Sequence, residues 1–447
     1  MGEQSDKEAV RWAVAAAHLP DHPMRAALVE EVHARPFASL EAPERASHLA
    51  LMTGEGGDAA DHAHLVYLCE RLGVPAPPEN AKHLHADFGP FRLKWERHGE
   101  FCTYTFLRRG AYAHPFAVPA IAFVPFEWLE RLPGKRLVAV HLALQPSDWP
   151  IPDADALASL FRLDTISAGS LAGGAAMAWT DFAVHEDGFG RILVHDAHLT
   201  PNGAGRMVQR LLEIETYRMT ALLGLPVVQE NVPQIRRIEE ETDEIARTMG
   251  KIESLEDTRA MLERLSRLSA DLERIAARTN YRLDATRAYY ALVRRRIERL
   301  REERVEGFQT IGEFMERRLV PAMQTCDTAA KRQEALLSRL VRATDLLRTR
   351  VNVALEEQNR DLLLSMDRRS RLQQRLQRTL EVISMIALTY YLSVLLTTVL
   401  KAVKAAGASL DVEVAVGAAV PLMLGLVWLG IQWARRAAIK SHERDKN

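Results

Sequence analysis

Two long stretches without a charged side chain lie near the C-terminus and constrain the fold of this sequence more than any other feature. The first covers 19 residues, from Val382 to Leu400, and the second covers 21 residues, from Val414 to Ala434. Each has about the 20 residues that a helix needs to cross a hydrocarbon layer about 30 Å thick. The sequence therefore predicts two membrane-spanning helices in a hairpin rather than two buried helices of a soluble core.

Cations flank this hairpin at its two chain ends. The loop between the stretches contains Lys401 and Lys404, which Asp411 and Glu413 offset. By the positive-inside rule, both termini lie in the cytoplasm and the loop lies outside, which predicts a multi-pass membrane protein. The side chains that we expect to contact anionic lipid headgroups are Arg368, Arg369, Arg371, Arg375, Arg378, Arg435 and Arg436.

A long helical region precedes the hairpin. Residues 234–380 contain only one proline, and apolar residues recur there at steps of three and four. We expect one continuous helix from about Thr328 to about Leu400, roughly 110 Å long. Two further helices, with a turn near Gly250, are expected upstream. One seam of the long helix should drive self-association into a homo-oligomer; it consists of Leu337, Leu340, Thr344, Leu347, Val351 and Ala354.

The first 226 residues mix strand and helix patterns. Alternating residues around Gly99 and around Asp187-Gly188 predict two β-hairpins, and further strands are expected over 46–52 and 136–144. The predicted fold class is α+β, with a cytoplasmic α/β domain built on a mostly antiparallel sheet. The domain boundaries expected are 1–226 for this domain, 227–380 for the helical stalk and 381–447 for the transmembrane hairpin and a short tail.

Composition excludes several function classes. The 58 Lys and Arg residues balance the 59 Asp and Glu residues, which argues against a nucleic-acid binder. The three cysteines are widely spaced and form no disulfide framework. The histidine pairs His62/His64, His83/His85 and His195/His198 lack the spacing of a zinc motif, so we expect them to be structural.

No set of a nucleophile, a base and an orienting group can be identified. The segment from Glu30 to Pro36 gathers acid, imidazole and guanidinium groups, and we expect it to be an ion-paired turn. We predict that the protein is not an enzyme, and the sequence identifies no cofactor and no metal site. A membrane-anchored enzyme stays open as a third alternative, on the basis of His33, Arg35, Arg97 and His98 alone.

Five long motifs are distinctive: EVHARPF near residues 30–37, WERHGEF over 95–101, TDFAVHEDGF over 180–189, GRMVQRLLEIETYRM over 205–219 and LLRTRVNVALEEQNRDLLLSM over 346–366. They resemble a family of bacterial membrane-anchored proteins described only as a domain of unknown function. The resemblance covers nearly the whole chain and implies an integral protein of the bacterial inner membrane. It implies no particular activity.

The predicted architecture also resembles, more distantly, that of the CorA-type magnesium transporters. That resemblance implies a homopentamer whose first span lines a pore, and a divalent cation as a partner. The Gly-Met-Asn signature is absent, and Thr397 to Lys401 stands in its place. The pore-lining candidates are Tyr390, Ser393 and Thr397, which share one helix face. The first hypothesis is an oligomeric ion channel or transporter, and the alternative is a membrane-tethered cytoplasmic scaffold or sensor without transport activity.

Overall fold

The computed structural model describes residues 12, 14, 19–26, 28, 29, 37–54, 57–251, 254–407 and 411–444, with residues 434–444 described by their helical backbone. The chain divides into two compact units. The first comprises 1–251 and 263–343, and the second comprises 252–262 and 344–447. The three domains predicted from the sequence stay a prediction.

The described part of the first unit is built on a sheet of nine strands in the order β2-β3-β4-β1-β5-β8-β7-β6-β9. All neighbouring strands are antiparallel except β5 and β8, which are parallel. The predicted α+β class with a mostly antiparallel sheet is confirmed. The strands are β1 (Glu44–Met52), β2 (His83–Asp87), β3 (Arg92–Arg97), β4 (Phe101–Arg109), β5 (Lys135–Gln145), β6 (Ser167–Leu171), β7 (Ala176–Thr180), β8 (Gly190–Asp196) and β9 (Glu303–Arg304).

Helices cover both faces of this sheet. On one face α1 (Gly57–Leu72) packs Leu65 and Leu68 into a core that includes Trp95 and Phe106. On the other face α4 (Pro201–Leu222) packs Met207 and Leu211, among others, into a core with strands β5 and β8. Two shorter helices, α2 (Phe126–Glu130) and α3 (Ala154–Leu160), lie in the connections between strands. Because both faces are covered, even polar residues of the central strands are buried.

Three helices follow α4 before the long helix begins. They are α5 (Gly224–Thr248), α6 (Leu255–Leu300) and α7 (Ile311–Arg318). A 3₁₀ turn at Met249–Lys251 follows α5, where Gly250 predicts a turn. After α6 the chain turns at Arg301, whose φ is +47°, and adds β9 to the edge of the sheet. The Thr310 hydroxyl and the Glu313 carboxylate cap α7 reciprocally.

The small residues of β6 allow this edge to form. A Cβ atom on Gly169 would collide with the carboxylate of Glu302, which accepts hydrogen bonds from the backbone N–H groups of Ile311 at 2.7 Å and Gly312 at 3.0 Å. Position 169 therefore needs glycine for β6 to lie this close to Glu302.

The predicted continuous helix is confirmed and is longer than expected: α8 runs from Val320 to Ala405. Along it the seam residues Leu340 and Leu347 are 0% exposed, so the chain itself buries this part of the seam. From residue 355 to residue 380, by contrast, every side chain is exposed. A second apolar helix, α9, spans Val412–Arg444, and both α8 and α9 contain stretches long and apolar enough to cross a membrane.

Candidate functional site

The predicted pore-lining residues lie in the apolar part of α8. Its least exposed residues recur at steps of three and four, which defines one partly buried face of the helix; they are Met385, Thr389, Ser393, Leu396, Thr397 and Leu400. Ser393 and Thr397 therefore lie on this face, whereas Tyr390 lies at its border and is 64% exposed. The pore-lining role of these three residues stays a prediction.

The hydroxyl groups of this face are bonded to their own helix. Ser393 Oγ donates to the Tyr390 carbonyl at 2.7 Å, and Thr397 Oγ1 donates to the Ser393 carbonyl at 2.7 Å. Such bonds satisfy the hydroxyl proton inside an apolar helix. Each hydroxyl oxygen still has lone pairs, so both groups can accept from another helix or coordinate an ion.

The five arginines before the apolar stretch are all exposed on α8. At about 1.5 Å per residue, Arg378 lies about 6 Å from Val382 along the helix axis, and Arg368 lies about 21 Å from it. The headgroup layer is only about 5–7 Å deep on each side of the hydrocarbon. Arg371 additionally pairs with Asp367 at 2.6 Å. Arg378 is thus the nearest of the five to the predicted span, and headgroup contact by these arginines stays a prediction.

Several candidate residues of the sequence lie outside the described residues or in structural contacts. The Glu30–Pro36 segment and the side chains of Arg435 and Arg436 lie outside the described part. Arg97 stands over the Trp95 ring at 5.1 Å, and His98 stacks on Phe101 at 4.5 Å. Within the described residues no three His, Cys, Asp or Glu side chains form a group that could hold a metal ion.

A cavity that the sequence did not predict lies between the sheet and α4, and both polar and apolar side chains line it. It has a volume of about 40 Å³, and strands β1, β3 and β4 form its floor. Cross-strand pairing brings the floor residues together, since Thr105 pairs with both His48 and Lys94 and Thr103 pairs with Glu96. The polar residues that line it are His48, Lys94, Glu96, His98, Thr103, Thr105, Gln209, Glu213, Thr216 and Tyr217.

His48 is held neutral at one side of the cavity. Thr216 Oγ1 donates its proton to the Leu212 carbonyl at 2.9 Å, so it accepts from His48 Nε2 at 3.0 Å. His48 Nδ1 then accepts from the Thr105 hydroxyl at 2.8 Å. Burial, together with the nearby positive charge of Lys94, lowers the pKa of His48 to about 3. The imidazole contributes no charge to the cavity near neutral pH.

A chain of alternating charges and one amide forms the other side. Lys94 Nζ lies 3.1 Å from Glu96 Oε2 and donates to Gln209 Oε1 at 3.1 Å. Gln209 Nε2 donates to Glu213 Oε1 at 2.8 Å, and Arg296 on α6 donates to the second oxygen of Glu213. The four charges sum to zero, so the cavity is electrically balanced.

A family model described as "Protein of unknown function (DUF3422)" matches residues 20–438 of the chain. The chain belongs to this family. The matched range includes every strand of the sheet, the whole of α8 and most of α9, so the sheet and the apolar helices are parts of one family architecture. No curated protein and no solved structure matches the chain. The family expected from the sequence motifs is confirmed.

The sequence did not indicate the cavity, and the reason is physical. Lys94 and Glu96 alternate with Leu93 and Trp95, which is the usual pattern of a strand with one face in water. The available signal was the polar face of α4, where Gln209, Glu213 and Thr216 recur at steps of four and three. The order of the strands in the sheet decides whether the polar faces of β3 and α4 meet. Neither segment alone indicates that order.

Proposed function

We propose that this protein is an integral protein of the bacterial inner membrane that assembles as a homo-oligomer and passes ions, in the manner implied by its architectural resemblance to CorA-type transporters. The observation that supports the proposal best is the run of exposed residues 355–380 on α8. Its large apolar side chains are Leu355, Leu362, Leu363, Leu364, Met366, Leu372, Leu376 and Leu380.

A helix of this kind is stable only with partners. Isolated helices are marginal in water, and most helical stability in proteins comes from packing of an apolar face. Burying a leucine stabilises by about 1.5–3 kcal/mol. Equivalent helices of other copies, arranged in parallel around an axis, would supply that burial. The same arrangement would bring the first apolar stretches together inside the bilayer.

The proposed topology places both chain termini in the cytoplasm and the 405–410 loop outside, because the arginine-rich segment precedes the first span. Reporter fusions at Asn447 and within the 405–410 loop test this directly. We expect them to report opposite sides of the membrane. If the loop reporter also reports the cytoplasmic side, the two-span topology is wrong.

The proposed ion pathway runs along the face that contains Tyr390, Ser393 and Thr397. In a symmetric oligomer each of these residues forms a ring of oxygen atoms, and such rings can hold a hydrated cation. The arginines at the inner mouth disfavour cations, whereas Asp411 and Glu413 attract them outside. Selectivity between a divalent cation and an anion therefore has to be measured.

The decisive measurement is ion flux into liposomes that contain the purified oligomer, with Mg²⁺, Zn²⁺, Co²⁺ and chloride tested in parallel. Ser393→Leu and Thr397→Leu should reduce the flux of the conducted ion. Thr398→Leu is the matched control, because its hydroxyl also bonds within the helix, to Val394 at 2.9 Å, but faces away from the proposed axis. Equal losses in all three variants would contradict the assigned face.

A membrane-tethered cytoplasmic scaffold or sensor is the second candidate. The observation that favours it is that Ser393 and Thr397 lie on the partly buried face of α8 with their protons bonded within the helix. Lys401, near the outer end of the stretch, would also repel cations. Absence of flux for all four ions, from protein shown to be inserted and oligomeric, would favour this function over transport.

A further inference from the structure

We propose that the cavity between the sheet and α4 binds a small zwitterionic solute of the amino-acid type. This inference goes beyond ion passage, because no residue of the cavity belongs to the apolar helices. It rests on the hydrogen-bonding capacity that the cavity leaves open, on its charge balance and on its size.

The open capacity consists of one cationic donor, one anionic acceptor and one hydroxyl. His48, Thr105 and Thr216 are satisfied by one another and by the Leu212 carbonyl. Lys94 uses its ammonium hydrogens on Gln209 and Glu96, which leaves a third N–H. Glu96, whose Oε2 is the oxygen near Lys94, and Thr103 also line the cavity. A carboxylate could accept from Lys94 and Thr103 while an ammonium donates to Glu96.

The charge balance selects a zwitterion over an ion of one sign. The side chains of Lys94 and Glu96 are only 8% and 12% exposed, so both charges are poorly hydrated. A lone anion would draw Lys94 away from Glu96 and leave that carboxylate without its cation, and a lone cation would do the converse. Leaving a buried charge without its counter-charge is strongly unfavourable. A zwitterion compensates both charges at once.

The size limits the solute to a few heavy atoms. A water molecule needs about 10–15 Å³ of such volume, so a cavity of about 40 Å³ accommodates about three water-sized groups. Three waters take up about 90 Å³ of liquid, which is roughly the space that the five or six heavy atoms of glycine or alanine need. The remaining walls are apolar, with Leu40, Leu107 and Val208 among them. The volume therefore limits the solute to one with a small side chain.

The test is binding to the full-length protein in detergent, measured by isothermal titration. Glycine and L-alanine are the probes, methylammonium chloride and sodium acetate each carry one of the two charges, and L-leucine tests the size limit. We expect glycine and alanine to bind at least tenfold more tightly than the other three. Equal binding of methylammonium or of acetate would overturn the zwitterion assignment, and no glycine binding by folded protein would mean that the cavity holds water only.

Three variants locate the binding. Lys94→Met should weaken glycine binding at least tenfold, and the nearly isosteric Thr103→Val should weaken it several-fold. Arg92→Lys is the matched control, because Arg92 lies on the same strand and face but does not line the cavity, and a lysine keeps a cation beside the buried Glu44. If Arg92→Lys weakens binding as much as Lys94→Met, the effect comes from disturbance of β3 and the site is misassigned. Thr103→Val decides the matter if Lys94→Met does not fold.

Discussion

The sheet unit and the segment of α8 beyond residue 354 treat the same kind of side chain in opposite ways. Leu93 on β3 is 0% exposed, whereas Leu372 on α8 is 60% exposed. Both residues belong to regular elements that mix apolar and charged residues, so secondary structure does not account for the difference. In the sheet unit the chain supplies its own cover through α1 and α4. Over residues 355–380 it supplies none.

The difference teaches where the stability of each region comes from. The sheet unit can be folded by its own hydrophobic burial, since it contains contiguous cores on both faces. The exposed part of α8 and the apolar stretches have no such cover within the described chain, and in the proposed function a bilayer and other copies of the chain supply it. Substitutions in the sheet unit should therefore change the free energy of unfolding, whereas substitutions in the exposed segment should change assembly.

The largest expected effect is complete loss of the oligomer in the double variant Leu372→Asp, Leu376→Asp. Each charge would be buried in the interface between copies, which costs several kcal/mol of desolvation per site. Native mass measurement and cross-linking in detergent should find monomers, while chemical denaturation of the sheet unit is unchanged. The double variant Leu340→Asp, Leu347→Asp is the comparison. Both residues are buried within one chain, so this variant should also lower the free energy of unfolding, which the first variant leaves unchanged. An intact oligomer in the first variant would place the interface elsewhere.

The next effect is expected within the sheet unit, at the buried carboxylate of Asp61. It accepts hydrogen bonds from Trp95 Nε1 at 2.9 Å, from the Tyr104 hydroxyl at 2.6 Å and from Cys102 Sγ at 3.1 Å. Asp61→Ala leaves Trp95 Nε1 and the Tyr104 hydroxyl without this acceptor and leaves Cys102 Sγ to its 3.9 Å bond with the Leu51 carbonyl. We expect a loss of about 3–5 kcal/mol in the free energy of unfolding. Denaturant titration followed by tryptophan fluorescence measures it. Tyr104→Phe, which removes one bond, should cost less than half as much, and a loss below about 1 kcal/mol for Asp61→Ala would show that water replaces the carboxylate.

Local periodicity explains what the sequence predicted correctly. The alternation around Gly99 defines the hairpin of β3 and β4, and the near absence of proline beyond residue 234 permits α8. Both patterns depend on residues that are close together in the sequence, and the predicted hairpin and helix are present in the structure. The three donors to Asp61, by contrast, come from residues 34 to 43 positions away. Such a set depends on which strands become neighbours.

The same limit applies to the rest of the sheet and to the candidate sites. Nothing in β5 or β8 indicates that these two strands pair in parallel, or that β9 returns to β6 after the whole of α6. The seam of α8 was predicted from its spacing, but its spacing does not indicate that the chain covers Leu340 and Leu347 and then leaves residues 355–380 exposed. Whether a helix face is buried depends on the surface that packs against it. The sequence pattern of the helix alone does not indicate that surface.

A smaller effect is expected when the pH is lowered, and it again belongs to the sheet unit. Burial lowers the pKa of His48 to about 3 in the folded protein, against an ordinary value near 6.5. A base with a lowered folded pKa contributes stability above 6.5 and loses it as the pH falls toward the folded value. Between pH 6.5 and 4.5 the loss should approach about 1.4 kcal/mol per pH unit. Burial also lowers the pKa of His141, to about 4, so that residue adds a similar slope.

Denaturant titrations of wild type and His48→Gln at several pH values isolate the His48 contribution. The other titrating groups are common to both proteins, so the difference in slope should be about 1.4 kcal/mol per pH unit. Parallel curves would mean that His48 becomes protonated in the folded state without cost. The exposed segment of α8 contains no histidine, so the assembly measured by cross-linking should not follow this profile.

The smallest expected effect concerns the arginines that precede the apolar stretch, and it tests whether a bilayer covers that part of α8. An arginine near an anionic membrane surface is worth about 1 kcal/mol, and the attraction falls off within a Debye length of about 8 Å. Arg378 lies about 6 Å from the start of the stretch and Arg368 about 21 Å from it. Protein in nanodiscs with a small fraction of phosphatidylglycerol should therefore retain that lipid about fivefold less well when Arg378→Gln is introduced.

Arg368→Gln, the matched control on the same helix, should change retention less than twofold. Equal effects of the two substitutions would mean that α8 tilts strongly or that the hydrocarbon begins earlier than Val382, and no effect of either would mean that residues 365–380 contact other protein rather than lipid.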